Sequence, residues 1–283
     1  MVVREMINCS LKLRREELRK AYAALGEPDR SGISDEMIES EREGLSAADA
    51  IFCPNRFVGE SVIAYGVPAA RCIDTSYGWG ADRLGTHGSV IPDDGTFTVA
   101  FAGTIDVRKG APVLLEAWVR AKIRGRLLLA GRMSREISDR FGHILRRPDV
   151  IQLGHVRNIG SVYRSADVFC FPTWEEGGPQ VTLEAMSAGA VPVVTPMGTA
   201  GAFSADEDVG IVVAPGDVDA LANAFHALAN DQARLDHMKQ RATARAADYT
   251  WERVGVRRRQ ELLARRRLWA SANRITGGSM PAK

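Results

Sequence analysis

The sequence predicts an α/β fold in which a doubly wound, parallel, six-stranded Rossmann-like domain follows a smaller α/β portion. Three observations predict it. After Thr96, six short apolar runs alternate with segments of helical or loop-plus-helix character. The alternation leaves no room for hairpins, so the strands are expected to run parallel. Gly103, Gly131, Gly154, Pro172 and Thr195 then fall at the carboxyl edge of the sheet, where ligands bind in such folds.

Taken in order, residues 11–25 and 34–47 have helical patterns, 50–53 (AIFC) reads as a strand, and 55–65 reads as a helix ending at the turn Gly66, Val67, Pro68. One or two βα units fit in this part. Residues 85–95 are a polar linker. The six runs are 97–102 (FTVAFA), 127–130 (LLLA), 150–153 (VIQL), 168–171 (VFCF), 191–194 (VPVV) and 211–214 (IVVA). Helices follow at 218–229, 231–247 and 251 to about 268, and 275–283 (ITGGSMPAK) reads as a loose tail. The expected division is 1–95 as N-terminal portion with linker, 96–250 as the nucleotide-type domain, and 251–283 as a helix turning back toward the N-terminal portion, then the tail.

With 283 residues, 45% of them hydrophobic and 25% charged, the chain supports one large domain or two ordinary ones. A net charge of +2 makes no electrostatic case for nucleic acid. The cysteines at 9, 53, 72 and 170 form no CxxC pair, so a reducing, cytoplasmic setting is the simplest expectation. Residues 1–10 do not read as a signal peptide, and no apolar run reaches transmembrane length. Arg257 to Arg259 and Arg265 to Arg267 recur on one helix. They make a solvated face, or, as the weaker alternative, a peripheral contact with anionic lipid.

The richest stretch is FPTWEEGGPQVTLEAMSAGAVPVVT at 171–195, which reads as strand, loop, helix, strand. A helix opening near Pro179 leaves unpaired N–H groups around Gly177 to Val181, and its dipole adds positive potential, which suits a diphosphate. Gly177 and Gly178 would let that backbone approach a ligand closely. Glu184 lies one to two turns into the helix, placed to accept hydrogen bonds from vicinal sugar hydroxyls, while Glu176 sits on the loop lip. By spacing alone the two glutamates read better as a solvated loop charge and a helix-surface residue. Glu175 offers an alternative register. Arg108 and Lys109 form a basic pair after the first strand of the domain.

Other patterns carry less. Asp217, Val218, Asp219 is formally a DxD triplet, but its place after Pro215 and Gly216 is better explained as an N-cap with an acidic first turn. The glycines make no GxGxxG fingerprint, and the five histidines show no metal-ligand spacing.

The segment PTWEEGGPQVTLEAMSAGAVPVV resembles the signature of the family-4 retaining glycosyltransferases of GT-B fold. The likeness extends to GTIDVRKGAPVLLEA (103–117), LGHV (153–156), YRSAD (163–167) and Trp251 with Glu252, and covers nearly the whole chain from about Ala48. It implies a GT-B fold whose donor domain is complete and whose N-terminal acceptor domain is truncated. AADAIFCPNRF (47–57) and Gly66, Val67, Pro68 match the end of that acceptor domain, and YGWGAD (77–82) matches the interdomain connection. No glycine-rich loop or acceptor-facing histidine precedes Ala48.

The resemblance further implies a nucleotide-diphosphate-sugar donor, no metal, and a saccharide or lipid-linked acceptor. It places Lys109 on the diphosphate, with Gly103 and Arg108 near it. Many relatives carry an arginine where this chain has Thr104, and Arg108 is the candidate replacement. His155 and Val156 match the nucleobase loop. Glu176 falls beside the transferred sugar, Gly177, Gly178, Thr182 and Leu183 by the phosphates, and Glu184 on the ribose. Lys109 and Glu176 are the expected catalytic pair. Two alternatives stand beside transfer: a nucleotide-sugar binding module inactive alone, and a GT-B epimerase or hydrolase.

Overall fold

The computed structural model describes residues 2–85, 88–203, 206 and 208–276. The N-terminal portion runs β1 (Val3–Glu5), α1 (Leu11–Ala24), α2 (Asp35–Ser46), β2 (Ala50–Cys53), α3 (Arg56–Ile63) and β3 (Cys72–Asp74). Its sheet is wholly parallel, ordered β1-β2-β3, with Val3 opposite Ala50 and Ile51 opposite Cys72. Side-chain caps set the helix starts: Ser10, Ser34 and Asn55 accept the N–H groups of Leu13, Met37 and Val58.

β1 and β3 were not anticipated. Each is three residues long and carries charge, at Arg4, Glu5 and Asp74, and β1 is exposed throughout, so neither makes an apolar run. Only β2, buried at every position between them, has a strand's composition.

The second domain runs β4 (Thr98–Ala102), α4 (Ala111–Ala121), β5 (Arg126–Ala130), α5 (Arg135–Leu145), β6 (Val150–Gly154), α6 (Ile159–Arg164), β7 (Val168–Phe171), α7 (Gln180–Ser187), β8 (Val191–Val194), β9 (Ile211–Val212), α8 (Val218–Ala229) and α9 (Gln232–Ala246). All six strands expected after Thr96 occur, parallel, in the order β6-β5-β4-β7-β8-β9. β4, β7 and β8 are buried at every position, which is why they read as unbroken apolar runs. The stacked rings of Phe101, Phe169 and Phe171 occupy the centre of the core. From β4 the chain builds outward through β5 to β6, then returns to β7 on the other side of β4 and builds through β8 to β9. The direction of winding therefore reverses between β4 and β7.

The two portions are tied by a crossing. The Trp79 N–H donates to the Tyr249 carbonyl and the Trp251 N–H to the Trp79 carbonyl, both at 3.0 Å, while the Trp79 indole donates to Ala246 at 2.7 Å. Past this crossing α10 (Trp251–Thr276) lies on the N-terminal sheet, with Leu262 against Ala50, Phe52 and Ile73. This helix runs on past the expected end near 268 to Thr276, and the rest of the tail lies outside the described residues.

The basic repeat on α10 is in part a packing device, which corrects its reading as a solvated face. Arg258 donates to Thr75, Ser76 and Glu5, and its guanidinium lies 5.2–5.6 Å from the Phe52, Tyr77 and Trp251 rings. Arg265 donates to the Ala70 and Cys72 carbonyls. Arginine can be turned inward in this way because its planar group stacks on aromatic faces while its N–H fork finds carbonyls. Among the described residues, no helix is long and apolar enough to cross a membrane.

Candidate functional site

In an open parallel sheet the loops leaving two adjacent strands diverge where the winding reverses, and the crevice between them is the place for a ligand. Here those loops are 103–110 after β4 and 172–179 after β7. They are packed on each other: the Trp174 N–H donates to the Arg108 carbonyl at 2.9 Å, and the Thr173 hydroxyl to the same oxygen at 3.2 Å. Gly110, at φ +74°, lies so close that a Cβ there would meet the Pro172 carbonyl oxygen at 1.9 Å.

Beside these loops opens a cleft of about 560 Å³ whose lining includes Ile7, Asn8, Tyr77, Lys109, Glu176, Gly178, Pro179, Gln180 and Val181. The helices α4 and α7, which start at its edge, begin without a side-chain cap, as α6 does elsewhere, whereas Ser134, Asp217 and Asp231 cap α5, α8 and α9. The N–H groups of Gln180 and Val181, the first two of α7, are thus open to an anion.

The Lys109 ammonium donates to Glu176 Oε1 and sits 4.9 Å from the centre of the Phe171 ring. Arg108 reaches the same oxygen at 3.1 Å, and also the Glu175 carbonyl at 3.2 Å. Two cations converge on one carboxylate oxygen at the switch point.

The structure separates the adjacent acids. Glu175 faces away from the cleft and is fully buried; Arg108 and Arg14 lie 3.4 and 3.5 Å from its Oε2, and the Cys9 N–H and thiol reach Oε1. Burial raises its carboxyl above the ordinary range, while Arg108 and Arg14 pull it down. Glu176 is the member of the pair that lines the cleft. Glu184 is completely buried on α7, its Oε2 accepting the Tyr163 hydroxyl at 3.1 Å.

Residues 96–231 match the sequence profile of glycosyl transferases group 1, a span that contains both loops and the six strands. The likeness to glycosyl transferases group 1 lies in this second domain. The capsular polysaccharide biosynthesis glycosyltransferase CapM of Staphylococcus aureus is 31% identical over 144 residues, covering 48% of this chain and 37% of that protein. A D-inositol 3-phosphate glycosyltransferase of Rhodococcus erythropolis is 25% identical over 250 residues (80% and 54%). The O-antigen chain mannosyltransferase B of Escherichia coli is 29% identical over 238 residues (76% and 61%). The chain spans about half the length of these curated relatives.

Solved structures share the fold over most of the chain. Sucrose-phosphate synthase from Thermosynechococcus elongatus superposes with a TM-score of 0.70 at 23% identity, covering 86% of this chain and 64% of that one. Anabaena HepE in complex with UDP-glucose superposes with a TM-score of 0.71 at 16% identity, covering 89% and 77%. The fold is of GT-B type, the two sheets facing each other across the cleft.

Several expected site residues stand elsewhere than the group 1 pattern implies. Gly103 and Thr104 follow β4 directly, with the Lys109 stem passing over Gly103. Gly177 allows a close approach, but the approaching group is the chain's own: a Cβ there would lie 1.8 Å from the Ile7 carbonyl oxygen, and Asn55 donates to the Gly177 carbonyl. Thr182 and Leu183 are buried and do not line the cleft. The Thr182 N–H is already bonded to Pro179 O at 3.3 Å and its hydroxyl to Gly198 O at 3.1 Å. The helix-start groups beside the cleft belong instead to Gln180 and Val181.

His155, exposed after β6, and the half-buried Val156 stand two strands from β4, outside the cleft lining. Arg108 is held by carboxylates from two residues. Asp217 caps α8 through the Ala220 N–H, and Asp219 pairs with Arg120, so the DxD triplet is a helix start. Tyr163, Arg83 and the segment Ile7 to Cys9 escaped sequence reasoning. Tyr163 lay inside a family motif without an assigned partner, and no spacing marks the other two.

Proposed function

We propose that this chain holds a nucleotide-diphosphate-sugar between its two sheets and transfers the sugar to a hydroxyl acceptor with retention of anomeric configuration. The observation that carries the reading is the convergence of Lys109 and Glu176 with the uncapped start of α7 at the switch point. Glu176 neutralises Lys109. An arriving diphosphate takes over the ammonium and the N–H groups of Gln180 and Val181, and Glu176 turns to the sugar hydroxyls. Glu184 holds the ribose, and the base extends toward His155 and Val156 beyond β5 and β6.

In the transfer step the bond from the anomeric carbon to the phosphate oxygen breaks, and a bond to the acceptor oxygen forms on the same face. The acceptor proton passes to the departing phosphate oxygen, and the nucleoside diphosphate leaves. Negative charge grows on that diphosphate, where Lys109 and the helix N–H groups stabilise it without a metal ion. The names of the relatives, concerned with capsular polysaccharide and O-antigen, support a saccharide acceptor, and a lipid-linked one is part of the same proposal. Peripheral contact with anionic lipid belongs to the same proposal, carried by the exposed Arg259 and Arg266.

Calorimetry with UDP, GDP and a panel of UDP- and GDP-sugars, joined to a product assay, tests the reading. Lys109→Ala is expected to weaken nucleoside diphosphate binding roughly tenfold or more. Glu176→Gln is expected to leave that binding nearly intact and to lower transfer by about 100-fold. Tight binding without product would make the chain a binding module, and equal transfer by both variants and the parent would misplace the site.

A further inference from the structure

Arg83 lies on a short helical turn, Ala81–Arg83, in the connection between the two portions. Its guanidinium Nε is 3.3 Å from Glu184 Oε1, and its NH1 donates to the Gln180 side-chain oxygen at 3.4 Å. Glu184 and Gln180 are four residues apart on α7, about 6 Å along one helix face. One arginine therefore already spans the distance between the carboxylate deep on α7 and the open N-terminus of that helix.

The two ends of this contact are unequal. The Glu184 side chain is fully buried, and its Oε1, close to Arg83, makes no hydrogen bond among the described residues. Burial pushes the Glu184 carboxyl above the ordinary range while Arg83 opposes that rise. A buried carboxylate oxygen without a hydrogen-bond donor is costly, and the ion contact offsets only part of that cost. Arg83 itself is 54% exposed at its side chain, so its guanidinium can swing at little cost. Its backbone cannot. The adjoining Leu84 carbonyl is packed on Gly160, where a Cβ would come within 1.9 Å, and accepts from Arg164 at 3.1 Å. The arginine is a movable cation on a fixed pivot.

We propose that Arg83 is a donor-binding residue that exchanges its contact with Glu184 for the diphosphate of an incoming nucleoside diphosphate. The proposal rests on the donor reading given above. A ligand that brings vicinal hydroxyls to Glu184 Oε1 supplies the missing hydrogen bonds and displaces the guanidinium. The anion that the same ligand places at Gln180 then receives it one helical turn away. Arg83 thus opposes binding of an uncharged nucleoside and favours binding of its diphosphate.

That opposition of sign is the test. Calorimetry of the full chain, the Arg83→Ala variant and the Arg83→Lys variant is carried out with UDP, GDP, uridine and guanosine. Arg83→Ala is expected to bind the preferred nucleoside diphosphate roughly tenfold or more weakly, and the corresponding nucleoside as tightly as the parent or more so. Arg83→Lys is expected to recover part of the diphosphate affinity. Unchanged diphosphate affinity in Arg83→Ala, or a parallel loss for nucleoside and diphosphate, overturns the assignment. If the parent binds neither UDP nor GDP, the donor reading itself fails. If the parent binds and Lys109→Ala weakens it while Arg83→Ala does not, only the role of Arg83 fails.

Discussion

Glu175 and Glu176 are chemically identical neighbours with opposite fates. A turn of the loop leaves Glu176 on the cleft beside Lys109, and drives Glu175 into the interior against Arg108, Arg14 and Cys9. Burying a carboxylate costs several kcal/mol unless cations and N–H groups surround it, and Arg108 from one segment with Cys9 and Arg14 from another supply them here. The folded carboxyl of Glu175 lies above its unfolded value. Its proton-linked stability is therefore fully present below the unfolded value and is lost as pH rises through the folded one. Arg14→Met removes a partner of the ionised form and raises the folded value further. The expected cost is small near pH 4 and on the order of 1 kcal/mol at neutral pH. Thermal melts of parent and variant from pH 4 to 8 should show a gap in Tm that widens with pH, and a gap that narrows would contradict this account.

Among the elements, helix starts divide into those closed by side chains and those left open. Asp217 closes α8 through the Ala220 N–H at 2.8 Å, so Asp217→Ala should lower stability by about 1 kcal/mol. The same variant should leave UDP and GDP affinities at the parent value. A clear loss of affinity would return the Asp217 and Asp219 pair to the list of ligand contacts. The opposite case is α7, whose N-cap position is Pro179 and whose first turn faces the cleft. Proline there contributes a fixed φ but no side-chain acceptor, so the orphan donors are left for a ligand. The sequence already marked this start, because Pro179 and the following helix formers are local signals. It could not show that Thr182 and Leu183 turn into the core, since that depends on how α7 seats against its neighbours.

On the scale of the whole molecule, α10 couples the two sheets. It leaves the second domain at the Trp79 crossing and is pinned to the first by Arg258. Arg258→Ala removes bonds to Thr75, Ser76 and Glu5 together with three ring contacts. It should raise amide exchange selectively in α10 and β3, and leave β4 and β7 protected; uniform exchange across both sheets would show that the helix has no such separate role. The sequence by itself determined the six-stranded sheet and the loops that end its strands. Its central strands are covered on both faces, so burial writes itself as unbroken apolar runs such as VFCF and VPVV. Lys109, Glu176 and Glu184 were singled out by the resemblance of the 103–117 and 171–195 stretches, since spacing alone leaves them as ordinary solvated charges. Only the tertiary structure decided which glutamate lines the cleft, that Ile7 lies over Gly177, and that Arg83 reaches Glu184. Those pairings join residues far apart in the chain, 166 positions for Cys9 and Glu175, and such pairs meet only when sheet order and domain packing bring their loops to one edge.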